Sequence, residues 1–275
     1  MPNGGIMKYF KIVCAAFFVA VLFVSGLPAQ SRTGMSLSGA TGLYSIPSGR
    51  IGWERSGPGR IGLDFGYHTI IAENNATHIP KFALSFFNLV ELSAAFDIQP
   101  ESYIYQNNGT DFIGGIKVQL PLTRTALALG GNYQHINMGR RGSQRSAWQV
   151  YVAATYAGHF FDMPAETTIV IGKTFIDGQR NSNIDFGMGF DMLLLPGIFD
   201  NLLHWITDFA NFSYSVDAFR ANAWYRGVLN TGIRLNLSTI PAFSRFRFAA
   251  DIMLVDAFDQ NRAFSVGMTF GVPLL

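Results

Sequence analysis

The feature that most limits what this chain can fold into is an alternation of apolar and polar residues with period two, repeated along most of its length. Ile61, Leu63, Phe65 and Tyr67 take the odd positions, while Arg60, Gly62, Asp64, Gly66 and His68 fill the even ones. Val90, Leu92, Ala94, Phe96 and Ile98 alternate with Glu91, Ser93, Ala95 and Asp97, and Phe112, Gly114, Ile116, Val118 and Leu120 with Asp111, Gly115, Lys117 and Gln119. Ile184, Phe186, Met188, Phe190 and Met192 repeat the pattern against Asn183, Asp185, Gly187, Gly189 and Asp191. Successive side chains of a strand point to opposite faces, so each segment specifies one apolar and one polar face. Such strands suit a soluble sandwich or a membrane barrel. The segments run to about 10 to 13 residues, near the length of a tilted membrane-crossing strand and well beyond the usual 5 to 6 of globular strands. The polar face, rich in glycine, alanine and serine mixed with charges, suits a confined lumen. The expected fold is all-β, an antiparallel transmembrane barrel.

Composition removes the competing classes. Of 275 residues 49% are hydrophobic and only 14% charged, against roughly a quarter charged in soluble domains. The longest apolar run, Ile12 to Val24, falls short of the roughly 20 residues that a membrane-spanning helix needs. With 25 Phe, 10 Tyr and 4 Trp the chain is too apolar for intrinsic disorder.

Lys8 and Lys11, the apolar run, and then Ser25, Gly26, Pro28 and Ala29 follow the three-part grammar of a secretory signal peptide. Residues 1–30 are read as that signal, starting at Met1 or Met7 and cleaved after Ala29 or Gln30. Cys14 opens the apolar run rather than following it, so it is filler and not a lipoprotein acceptor. The mature chain then has no cysteine and no disulfide. Losing two lysines leaves 20 − 2 = 18 basic residues against 18 acidic ones. A neutral chain with no basic run implies no nucleic-acid partner.

Twelve strands are expected, at about 59–71, 79–87, 90–98, 111–121, 124–136, 147–157, 166–176, 183–194, 211–219, 226–238, 244–256 and 262–274. An even count places both termini on the periplasmic side of a bacterial outer-membrane barrel. Residues 59–275 form the barrel, and residues 31–58 an N-terminal segment at or inside its mouth. Gly39, Gly42 and Gly49 suggest a close-packed chain there. Ile198, Leu202, Trp205, Ile206 and Phe209 recur at helical spacing, which predicts a short amphipathic helix near 197–209, lying at the membrane interface or tucked against the mouth. The last strand, Phe264 to Leu274, is amphipathic and so resembles the C-terminal strand of outer-membrane barrels, a resemblance that implies a signal read by the barrel-insertion machinery, although the chain ends in Leu275 rather than the usual aromatic. The expected location is the outer membrane of a diderm bacterium, with outer-membrane lipid and the insertion machinery as partners.

Phase also selects the lumen-lining candidates. They are Arg60, Asp64, Lys81, Glu91, Asp97, Lys117 and Arg124, then Asp185, Asp191, Asp217, Arg234, Arg245, Arg247 and Asp251. An arginine pointing into lipid at mid-depth costs about 2 to 4 kcal/mol, so Arg245 and Arg247 are assigned inward. Seven acids balance seven bases in this set, which predicts weak charge selectivity or ion pairs that partly fill the barrel. Lys173 shares a face with Ile169, Ile171 and Phe175; it either snorkels near a strand end or marks a bulge.

Enzymatic chemistry finds no support. His135, Gly139, Arg140 and Trp148 are spaced as in outer-membrane phospholipase A, but Asn137 stands where the serine nucleophile belongs and Gln149 where the orienting asparagine would be. Without a hydroxyl beside the imidazole, acyl transfer has no nucleophile. The five histidines are scattered, so neither a metal nor another cofactor is implied. Arg140, Arg141 and Arg145 cluster in an expected loop, where they hold anionic headgroups or stay solvated.

The stretch Ser38-Gly39-Ala40-Thr41-Gly42-Leu43-Tyr44-Ser45-Ile46-Pro47-Ser48-Gly49-Arg50, with Phe87-Asn88-Leu89-Val90-Glu91-Leu92 downstream, resembles the opening of a loose group of outer-membrane barrels that includes the YjbH-like exopolysaccharide-associated family. That resemblance spans about 55 residues of the chain and implies a barrel without defining a site. Two functions follow as expectations: a narrow, weakly selective porin-like channel for small solutes, or a non-conducting surface or envelope-assembly component such as an exopolysaccharide accessory protein or adhesin.

Overall fold

The computed structural model of the protein describes residues 34–52, 61–72, 75–98, 110–120, 122, 125–137, 144–177, 183–212, 227–258 and 262–274. Its frame is a ring of antiparallel strands: β3 (Ile61–Ala72), β4 (Asn75–Phe86), β5 (Val90–Ile98), β6 (Thr110–Leu120), β7 (Thr125–Asn137) and β8 (Gln144–Phe160), followed by β9 (Met163–Ile176), β10 (Asp185–Leu193), β11 (Leu203–Ala210), β12 (Val228–Asn236), β13 (Arg247–Val255) and β14 (Ala263–Pro273). β14 pairs back onto β3, from Phe264 opposite Ile71 to Pro273 opposite Gly62, and this makes a closed twelve-stranded barrel. Closure satisfies every strand's backbone within the ring, the condition that a sheet must meet in lipid. Two short strands, β1 (Gly34–Met35) and β2 (Thr41–Gly42), pair with each other and not with the ring.

The faces follow the alternation. In β14, Phe264, Val266, Met268 and Phe270 are exposed while Ala263, Ser265, Gly267, Thr269 and Gly271 are buried. The exposed apolar face continues around the ring through Phe65, Leu129, Val150 and Ile252. An apolar exterior on a closed ring is what hydrocarbon demands of a membrane-spanning barrel. No helix among the described residues is long and apolar enough to cross a membrane.

Aromatic side chains pair near both rims. Where β3 begins and β14 ends, here called the terminal rim, Phe160 stacks on Phe190, which meets Trp205 edge to face, and Phe248 packs against Phe243 and Phe270. Toward the far rim, Tyr133 packs on Trp148, and Phe96 on Phe112. Trp148 and Phe160 lie on one face of β8, twelve residues apart. That separation corresponds to about 40 Å along the strand and about 30 Å along the axis of a tilted barrel, close to a bilayer's apolar thickness.

Two of the terminal-rim connections are tight turns. Phe87 and Asn88, between β4 and β5, and Phe161 and Asp162, between β8 and β9, all have positive φ. Consecutive left-handed residues match the twist of a hairpin, though Asn and Gly are the residues that usually supply them. Here a phenylalanine takes the first position of each turn, and Phe161 is 81% exposed.

The twelve-strand count agrees with the alternation, but one stretch differs. The helix expected near 197–209 is confined to α1 (Pro196–Phe199), and Leu203–Ala210 is strand β11. The strand expected at 211–219 is thereby displaced; 213–219 lies outside the described residues. A helical and a strand phase both fit the apolar residues in this stretch, and packing selects the strand. In β11 the alternate positions His204, Ile206, Asp208 and Ala210 are buried, each polar one with a partner inside the barrel.

The lumen and its N-terminal segment as candidate functional site

The barrel is not hollow. Residues 34–52 lie inside it, and nearly all of their side chains are fully buried. The segment is a re-entrant hairpin with its two ends together: Gly34 opposes Gly42, Met35 opposes Thr41, and Gly42 bridges Pro47. Arg247, at the terminal-rim end of β13, pairs with Asp64 of β3 at 2.9 Å and donates to the Gly34 carbonyl at 2.9 Å. Gly52 lies against the same pair. Both ends of the segment therefore meet at one ion pair on the terminal rim, and its tip, residues 43–46, reaches deep into the lumen.

Wall side chains hold the segment mainly by its backbone. Lys81 Nζ donates to the carbonyls of Met35 (2.9 Å) and Ser36 (2.7 Å), and Lys117 Nζ to that of Thr41 (2.9 Å). Glu91, paired with Lys117 at 3.0 Å, accepts from the backbone N–H of Thr41 (2.9 Å) and Gly52 (3.3 Å) and from the Thr41 hydroxyl. Asp208 accepts from the Ser45 N–H at 2.6 Å and the Ser45 hydroxyl at 2.9 Å. Thr155 accepts from Gly49 N–H at 2.9 Å and Gln119 from Ile51 N–H at 3.0 Å. Arg50, the segment's one described cation, reaches Glu166 of β9 at 3.0 Å. Charge-assisted bonds of this kind are about twice as strong as neutral ones.

Two glycines make the close approach possible. Gly39 has φ +85 and its backbone lies so near β5 that a Cβ there would sit 2.6 Å from the Ala94 carbonyl oxygen. At Gly49 a Cβ would come within 2.1 Å of the Ala126 carbonyl oxygen.

The tip forms an apolar layer. Leu37, Leu43, Tyr44 and Ile46 join one buried cluster with wall residues that include Ile70, Ile79, Ile113, Ile206, Phe212 and Met253. Tyr44 packs on the His68 ring at 5.6 Å, and burial raises its phenol well above the ordinary value, so it stays neutral. Below this layer, Arg234 grips Asp251 through two bonds, at 2.7 and 2.9 Å, and His68 approaches Asp251 at 3.4 Å. The Asp64–Arg247 and His68–Asp251 contacts both reach from β3 to β13 over the small inward residues of β14.

Toward the far rim the wall is polar again. Asp97 and Asp111 stand directly opposite on β5 and β6, both buried. Asn132 donates to Gln149 at 3.1 Å, and Gln149 and Thr174 both donate to Asp185. On the terminal-rim side of β10, Asp191 accepts from the His204 Nδ1–H at 2.6 Å.

Of the residues assigned to the lumen from the sequence, Asp64, Lys81, Glu91, Asp97, Lys117, Asp185, Asp191, Arg234 and Asp251 are buried on inward strand positions, with Arg247 half-buried beside Asp64. Arg60, Arg124 and Asp217 lie outside the described residues, as do the signal segment with Cys14, Arg140 and Arg141. Arg245 is a correction: it is exposed in the turn after a short 3-10 helix (Pro241–Phe243), because β13 begins only at Arg247. Lys173 sits in an unbroken β8–β9 register, so there is no bulge, and it bonds the Asn183 carbonyl at 2.6 Å. The assignment from sequence omitted Arg50, His68, Asp111, Glu166, His204 and Asp208. Asp111 shares the phase of Lys117 and His68 that of Asp64, so phase alone identifies those two. Asp208 and His204 were hidden by the helical reading.

Among the described residues, no group of three or more His, Asp or Glu side chains could hold a metal ion. No family model matches the chain and no curated protein is similar to it, so the YjbH-like resemblance gains no support. Among solved structures, the chain is similar to the KdgM porin in complex with disordered oligogalacturonate, at 8% identity, covering 75% of this chain and 98% of that one with a TM-score of 0.49. It is also similar to the outer membrane protein Omp33 of Acinetobacter baumannii, at 13% identity over 79% of this chain and 100% of that one, with a TM-score of 0.46. OccK11 (OpdR) of Pseudomonas aeruginosa matches at 11% identity over 82% of this chain and 69% of that one, with a TM-score of 0.31.

Proposed function

We propose that the protein is a porin-like barrel of the bacterial outer membrane whose path for small solutes is closed at rest by its own N-terminal segment. In this reading the terminal rim faces the periplasm and residues 1–30 are removed on export. One observation carries it: residues 34–52 enter and leave the lumen at the same rim and meet at the Asp64–Arg247 pair. A segment so placed can be withdrawn without breaking a wall strand. Its apolar tip seals the lumen, whereas its flanks are held by polar contacts that water can replace. Closure, rather than the charge balance expected from the sequence, then governs conduction.

The test compares the intact protein with a variant lacking residues 34–52, each reconstituted in a planar bilayer. The expected result is little current from the intact chain and sustained current from the variant. A variant that keeps the heat-dependent gel migration of a folded barrel yet never conducts would overturn the gated channel. It would favour the second reading, a non-conducting envelope component, which the depth of the segment's burial supports.

A further inference from the structure

The contacts that hold the segment have a chemical pattern of their own. Cationic wall groups meet carbonyl oxygens: Arg247 at Gly34, Lys81 at Met35 and Ser36, Lys117 at Thr41. Anionic and amide groups meet N–H donors: Glu91 at Thr41 and Gly52, Asp208 at Ser45, Gln119 at Ile51. The wall thus distinguishes a peptide's acceptors from its donors, position by position. It also comes within van der Waals range of the chain at Gly39 and Gly49, where only a residue without a side chain fits. A sugar hydroxyl rotates to donate or accept and so can meet either kind of wall group; what excludes a sugar is width, since no ring fits where even a Cβ at Gly39 or Gly49 would lie 2.6 or 2.1 Å from a wall carbonyl oxygen.

We propose that the lumen wall is a cradle for peptide main chain, and that the solute class of the opened barrel is short peptides rich in small uncharged residues, with the protein's own segment as the resident occupant. The inference rests on the gated-channel reading for access, but binding to the cradle is measured independently of current.

The experiment uses the barrel lacking residues 34–52, with three probes added on the terminal-rim side. These are a synthetic peptide of residues 34–52, an unrelated peptide of Gly, Ser and Ala, and a linear glucose hexamer. Both peptides are expected to block current at concentrations about tenfold or more below the sugar, because a ring held off by the narrow points at Gly39 and Gly49 misses bonds to charged groups, each of which adds more than the roughly 1.4 kcal/mol that makes a factor of ten. Equal block by peptide and sugar would overturn the cradle. So would block by the residue 34–52 peptide alone, since recognition would then lie in side chains.

Folding of the deletion variant is circumvented by a second protein, the full chain carrying a protease site within residues 53–60 and cut after it has folded. In detergent, a fluorescently labelled Gly, Ser and Ala peptide is expected to exchange with the cut segment, and failure to exchange would overturn the proposal. If the deleted barrel never conducts while the labelled peptide still binds, the cradle stands and the channel falls; if the peptide does not bind either, both fall.

Discussion

The wall of the barrel and the segment inside it solve the same problem by opposite means. Both must satisfy every backbone N–H and C=O away from bulk water. The wall does so with itself: β8 and β9 pair continuously from Ala147 opposite Ile176 to Phe160 opposite Met163. The segment has a few bridges of its own and relies on side chains from strands far away in sequence, such as Asp208, which bonds Ser45 across 163 positions. A region that satisfies its own backbone needs from its sequence only the correct period. A region satisfied by others needs particular residues at particular distant places.

Three substitutions break this comparison in different places. The largest effect is expected from Arg234→Met in the wall. Arg234 is fully buried and holds Asp251, so its loss strands a buried carboxylate and is expected to cost about 3 to 5 kcal/mol. Denaturant unfolding in detergent micelles should show the whole barrel weakened; an unchanged midpoint would show that the pair is dispensable to the wall.

A smaller and more selective effect is expected from Gly49→Val, whose side chain would collide with the Ala126 carbonyl. Overpacking of this kind costs about 1 to 3 kcal/mol, and here it falls on the segment alone. Residues 34–52 should become open to added protease while the barrel keeps its heat-dependent migration. Protection equal to that of the parent protein would show that the segment and wall form one cooperative unit. The smallest effect concerns a terminal-rim turn. Phe161→Gly relieves a left-handed phenylalanine (φ 48) and is expected to raise the unfolding free energy by about 1 kcal/mol. A lowered midpoint would mean that the exposed ring contributes more by burial in the leaflet than its backbone loses.

The same contrast explains how much could be read from the chain. β5 was legible to the residue, and β3, β6, β7, β10 and β14 to within a few, because Glu91, Lys117 and Asp185 share a phase with the small residues beside them. β11 was misread because Trp205, Ile206 and Phe209 also satisfy a helical period; only the His204–Asp191 and Asp208–Ser45 contacts reveal the strand phase. Arg245 was misplaced by two residues of strand that Pro241–Phe243 and the following turn replace. The glycines at 39, 42 and 49 signalled close packing, but nothing local to them names Glu91, Lys117 or Asp208 as partners. Those partners are set by which strands the closed ring brings around the segment, a property of the whole barrel and not of any window along it.

The small inward face of β14 has a consequence for how such a ring holds together. Ser265, Gly267, Thr269 and Gly271 leave room for Asp64 to reach Arg247 and for His68 to reach Asp251 above them, so the first strand and the last but one are joined over the top of the last. The circle is therefore fastened twice, once by the backbone ladder and once by a side-chain clasp that bypasses the final strand. A ring closed in this way does not open at a single seam: parting β14 from either neighbour leaves β3 and β13 still joined by the Asp64–Arg247 and His68–Asp251 contacts.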